Sequence, residues 1–436
     1  SSDSQKLSAV FSLAIIVIFL VFLLWYTLTT ILIIDVNIYY GKIGMKIQIG
    51  RLKHVAIMMG IALSGIGGSG SFTPTNALTF NFTPATGTSQ QAINGFAQAG
   101  SLWSSLFTDN VTVNINIDFS NLGGNTLGSA STAFQPFSYA NVYNALNKDR
   151  KSVDDKSAVN SLANSSTFNM LLNRTSNNPN GAGSATTYLD KNGNDNNRWL
   201  EVGTANAKAL GLIGGNNTGL DASISFSNQY AWDFDRRNGI SAGNFDFIGI
   251  AAHEIGHALG FFSGVDTLID NSSNGVFFPD SAFTIVTPLD LFRYSINSKN
   301  AKTIDNKNVI DFTADNREKY FSLDGGITKI AAFETGLNKQ ASHWLDNGGR
   351  GIMDPTTASG ELLAITGNDL RAFDAIGWDR ATTSYRPIGS EGATAVPEPS
   401  NLLGTCLFAA FGVRMIIKRK QKLAKLSIES EASLES

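Results

Sequence analysis

The segment His253-Glu254-Ile255-Gly256-His257-Ala258-Leu259-Gly260 restricts this chain more than any other stretch. On a helix, residues four apart lie on one face, one turn apart. Two imidazoles at that spacing can share one Zn²⁺, and the glutamate between them can act as a base toward an activated water. The chain has only 4 histidines, so two of them flanking a glutamate at this spacing is not an effect of composition. The pattern points to metal-assisted hydrolysis, most often of a peptide bond. It also demands a helix: Asp246 is placed to cap one over residues 247–259, with Gly260 ending it in a left-handed turn. Ile248, Ala252, Ile255 and Leu259 mark its expected buried face, with His253 and His257 on a neighbouring one. Gly249 and Gly256 inside it imply close packing.

The ends of the chain read as something other than the domain that carries this helix. Residues 1–44 hold a charge-free apolar run from 7 to 34, long enough to span a bilayer. Residues 45–77 follow the order of an export signal: Met45, then Lys46, Arg51 and Lys53, an apolar stretch, and small residues to Ala77. Either Met45 is the start and 1–44 lies upstream of it, or the first run is a membrane anchor. Residues 393–425 contain Val396-Pro397-Glu398-Pro399-Ser400, an apolar run broken by Arg414, and a cluster of Lys418, Arg419, Lys420, Lys422 and Lys425. Those cations should stay cytoplasmic and leave the upstream domain outside. A short tail, 426–436, follows.

Residues 78–392 are then the exported domain. A hydrophobic content of 43% supports a core, and a net charge of −3 gives no sign of nucleic-acid binding. The single cysteine, Cys406, excludes an intrachain disulfide. Residues 78–82, 111–119 and 222–227 alternate as strands do, and 222–227 is expected at a sheet edge, where it could hold substrate by backbone pairing. Residues 92–107, 142–146, 158–162 and 205–212 read as helical, and 173–183 as a loop. The class is α+β. Asp190-Lys191-Asn192-Gly193-Asn194-Asp195, with Glu201 at the twelfth place, echoes a calcium loop, but Asp195 stands where Gly is wanted. It reads as a solvated turn, with Ca²⁺ as the alternative.

A catalytic zinc site needs a third protein ligand. The nearby position is Ser263, a poor ligand; Asp266, three further on, is a substitute. Glu318, Glu334 and Glu361 lack a suitable setting. His54 falls in the export signal, which leaves His343 in Ser342-His343-Trp344.

Taken together, H-E-x-x-H-x-x-G-F, the distant S-H-W and Gly351-Ile352-Met353-Asp354-Pro355 resemble the leishmanolysin-like metzincins. The likeness implies a mixed sheet with an active-site helix and a methionine turn. It implies His253, His257 and His343 as zinc ligands, Glu254 as general base and Met353 beneath the metal. The tail resembles the PEP-CTERM sorting signal, which implies an exosortase-type processing enzyme acting near Pro397-Glu398-Pro399. The whole is similar to bacterial metalloproteases bearing such tails, through residues 289–294 and 321–326 as well. It departs from leishmanolysin in having no cysteine within residues 78–392, so neither disulfides nor a cysteine-switch propeptide carries over. The expectation is an exported zinc endopeptidase at the cell surface or in the extracellular matrix. The rival is a non-catalytic surface protein that kept the fold, and the intact Glu254 argues against it.

Overall fold

The structure, a computed structural model, describes residues 78–273, 277–301, 308–346, 349–381 and the pair 404–405. The apolar run 1–44, the export signal 45–77, the tail 426–436 and, apart from that pair, the sorting segment with Pro397, Glu398 and Pro399 lie outside these residues. Among the described residues no helix is long and apolar enough to cross a membrane.

The chain is α+β. The described part opens with β1 (Thr79–Pro84), α1 (Gln90–Ser104), β2 (Thr112–Ser120), β3 (Gly128–Thr132) and β4 (Phe134–Ser138). Then come α2 (Tyr139–Asp149), α3 (Val153–Ser161), β5 (Asn169–Leu172), β6 (Tyr188–Asp190), β7 (Trp199–Gly203), α4 (Thr204–Ala209) and β8 (Ala222–Ser227). The short pair β9 (Trp232–Asp233) and β10 (Phe245–Asp246) leads into α5 (Phe247–Ala258), the helix of the histidine motif. After α6 (Asp266–Ser273) follow β11 (Arg293–Tyr294), α7 (Ile296–Asn300), β12 (Val309–Asp311), β13 (Lys319–Phe321) and β14 (Ala331–Phe333), and α8 (Gly367–Ala375) comes near the end.

The principal sheet has the order β1-β2-β8-β3. The first three strands run parallel and β3 runs antiparallel to β8. Alternation predicts these strands well: Val113, Ile115 and Ile117 of β2 and Ala222, Ile224 and Phe226 of β8 are buried, with Asn and Ser between them. One expectation fails. Residues 222–227 form β8, paired on both sides, so they are not a sheet edge. Alternation reports which face is buried and says nothing of lateral neighbours; the edge beside the motif is β3.

Helices α1 and α5 lie on one face of this sheet. Phe96 of α1 meets Phe226 of β8 and Phe247 of α5 edge-on, with ring centroids 5.1 and 5.3 Å apart. Trp103 Nε1 of α1 donates to Ala252 O of α5 at 2.9 Å. Asp246 caps α5 as expected, accepting from Gly249 N at 2.9 Å. The helix ends at Leu259 and Gly260, the latter at φ +119°. Every residue of α5 is buried, not a single face. His343, Ile352 and Met353 meet another side of the helix, where sequence periodicity could not place them.

Candidate metal centre

Three histidines meet above α5. His257 Nε2 lies 3.1 Å from His253 Nε2 and 3.2 Å from His343 Nε2. The other ring nitrogen of each faces a backbone carbonyl: His253 Nδ1 with Ile352 O at 2.6 Å, His257 Nδ1 with Phe261 O at 2.6 Å and His343 Nδ1 with Gln340 O at 3.2 Å. A carbonyl can only accept, so Nδ1 carries the proton and each Nε2 presents its lone pair. Burial pushes His253 down to about 4, and burial, then the neighbouring rings, push His257 and His343 well below the usual imidazole range. All three are therefore neutral.

Three lone pairs directed at one another are mutually repulsive unless a cation stands between them. Nitrogens held about 2.0–2.1 Å from a tetrahedral ion are about 3.3 Å apart. The observed spacings fit that requirement, so the three rings can hold a metal ion. Among the described residues this trio is the only group of three or more His, Cys, Asp or Glu with ligand atoms within 4.8 Å of one another.

Glu254 is fully buried, and neither of its carboxylate oxygens has a hydrogen-bond partner among the described residues. Burial raises its pKa well above the usual carboxylate range. An unsatisfied buried carboxyl is costly to a fold, and its survival beside three convergent imidazoles fits a cation site. β3 comes close on this side. A Cβ on Gly128 would stand 2.6 Å from Glu254 Oε1, and Thr132 Oγ1 donates to His257 O at 3.2 Å.

His343 is held by its neighbours in sequence. Glu334 N donates to His343 O at 3.0 Å and Leu345 N to Ala332 O at 2.8 Å, so residues 343–345 run alongside β14. Trp344 stacks on Phe333 with centroids 4.9 Å apart. Asp369 of α8 accepts from Trp344 Nε1 at 2.8 Å and from Ile352 N at 2.9 Å. It thereby ties the segment bearing His343 to the segment bearing Met353. Sequence reasoning missed Asp369: Thr366-x-x-Asp369 announces a helix N-terminus, but not these distant partners. Met353 packs on α5, where a Cβ on Gly256 would collide with its Sδ. The glycine in the motif is thus a contact requirement.

Asp266, the alternative third ligand, is not in the trio. Its carboxylate accepts from Ala341 N at 2.7 Å and Ser342 Oγ at 3.2 Å, so it holds the residues preceding His343. Ser263, the position closed to ligation, belongs to the same frame: its N–H donates to Ser342 Oγ at 2.9 Å and its hydroxyl to Asp290. Buried Arg293 completes the frame by donating to Ala341 O and Glu334 O. The loop read as a solvated turn is one in part: Lys191, Asn192 and Asp195 are exposed, while Asp190 and the following Asn196 are 2% and 0% exposed. Glu201 lies in β7 opposite Pro136 and, among the described residues, forms no ligand group with Asp190 and Asp280. Comparison with known family models, with characterised proteins and with solved structures produced no match.

Proposed function

We propose that this chain is an exported zinc endopeptidase of metzincin type. The observation that carries the reading is the convergence of three neutral Nε2 atoms beside a fully buried Glu254 lacking a hydrogen-bond partner. His253, His257 and His343 would hold the ion. Bound there, Zn²⁺ would lower the pKa of a water toward about 7 and polarise the scissile carbonyl. Glu254 takes a proton from the attacking water and delivers it to the leaving amine. Met353, packed on Gly256, fills the role of the methionine turn. Terminal strand β3, beside Glu254, replaces β8 as the strand that would align a peptide by backbone pairing. The basic tail, the Pro397-Glu398-Pro399 segment and the export signal support transient membrane anchoring and processing by an exosortase-type enzyme.

The test is casein hydrolysis by the purified protein with and without chelator, alongside Glu254→Gln. That variant should keep its zinc stoichiometry and lose about 10²–10⁴-fold in rate. Wild-type activity indifferent to chelation, or an active Glu254→Gln, sinks the reading. An inert wild type that still binds zinc favours the non-catalytic surface protein.

A further inference from the structure

A second polar cluster, sharing no residue with the histidine trio, sits where the 190–197 loop meets the segment around residue 280. Asp190, Asn192, Asn194 and Asn196 place an oxygen-bearing side chain at every second position. Asp280 enters from the stretch between α5 and His343. Asn192 Nδ2 donates to its Oδ2 at 2.7 Å and Asn194 Nδ2 to its Oδ1 at 3.0 Å. Asn196 Nδ2 donates to Asp190 Oδ2 at 2.8 Å. Asp190 and Asp280 are 2% and 3% exposed, and among the described residues neither makes an ion pair. Two carboxylates are therefore buried together with amides alone around them. Burial, and the charge of Asp280, raise the pKa of Asp190.

The amide oxygens point to a ligand. Asn194 Oδ1 and Asn196 Oδ1 are buried without a hydrogen-bond partner, and Asn196 is 0% exposed. Each shares its amide carbon with the Nδ2 that touches a carboxylate, so each lies at the cluster. Amide nitrogen and oxygen differ only by a rotation of the side chain. With that rotation the oxygens join the carboxylates, an arrangement that is repulsive alone and favourable around a hard cation. Asn192 Oδ1 accepts from Asn194 N at 2.9 Å and stays outside the set. Two carboxylates with two amide oxygens, completed by water, can supply the six to eight oxygens of a Ca²⁺ site, whose flexible geometry suits a mixed set better than the strict octahedron of Mg²⁺.

We propose that Asp190, Asn194, Asn196 and Asp280 form a Ca²⁺ site. Asp280 supplies the distant carboxylate, and the ion fastens the loop to the segment around residue 280. It acts on stability and not on the reaction.

The test is thermal unfolding of the full chain in calcium-depleted buffer, titrated with CaCl₂ and in parallel with MgCl₂. Calcium at about a hundredfold above its dissociation constant should raise the midpoint by about 5 °C or more. Tb³⁺ should bind with emission sensitised by Trp199, two residues after Asn197, and Ca²⁺ should displace it. Asp280→Asn should abolish both responses. A midpoint unmoved by millimolar Ca²⁺, or an Asp280→Asn variant that keeps the full shift, overturns the site. Should that variant fail to fold, the wild-type competition decides: Tb³⁺ emission absent or indifferent to Ca²⁺ overturns it equally.

Discussion

Gly128 and Glu254 meet across the gap between β3 and α5, and that contact exposes how the candidate base is positioned. A methyl group at 128 would stand 2.6 Å from Oε1, the mobile end of a side chain. The fold can absorb this by turning the carboxylate, but the carboxylate is then misplaced. Gly128→Ala should keep its zinc and its unfolding midpoint while kcat falls about 10²-fold. Unchanged turnover would show that Glu254 is not held by this contact. At His343 the expected outcome differs. His343→Ala removes one of three converging nitrogens and should lose both zinc and activity, read by metal analysis of the purified variant. Full occupancy would refute the ligand assignment. The histidine pair and its glutamate were legible in sequence because one helical turn sets their spacing. Gly128 was not, because its role belongs to a neighbour more than a hundred residues away.

At the level of elements, α5 could be read almost residue for residue, from its Asp246 cap to Gly260, because capping and helix termination are local. The strand 222–227 was read with its correct bounds and the wrong neighbours. The segment that delivers His343 depends on β14, on Asp369 of α8 and on the frame of Asp266, Asp290 and Arg293, and none of these dependencies has a local signature. Asp266 gives the sharpest test of the frame. It holds Ala341 N and Ser342 Oγ, immediately before the ligand. Asp266→Ala should weaken zinc binding about tenfold, measured by competition with a chromogenic chelator, while Glu254→Gln leaves that affinity intact. An Asp266→Ala variant with wild-type affinity would reduce the frame to a packing feature. The reverse assignment, Asp266 as ligand, predicts loss of the metal altogether.

For the whole molecule, a shared ion would link α5 to a residue beyond the entire stretch from 258 to 342. Binding of that kind stabilises the native state alone. Chelation should therefore lower the thermal midpoint by about 5 °C or more and speed cleavage within that stretch by an added protease; a scan identical with and without chelator would remove the link. Calcium, if it binds between the 190–197 loop and Asp280, would fasten the same stretch at a second point. By itself the sequence determined the α+β class, the histidine-motif helix with its cap and stop, two candidate ligands and the candidate base, since each follows from spacing along one element. Only the tertiary structure decided that His343 and not Asp266 joins the pair, that β3 and not β8 is the edge beside Glu254, and that Asp280 meets the asparagine loop. Those choices turn on which distant segments share space, and backbone pairing and buried packing settle that only once the chain has closed on itself.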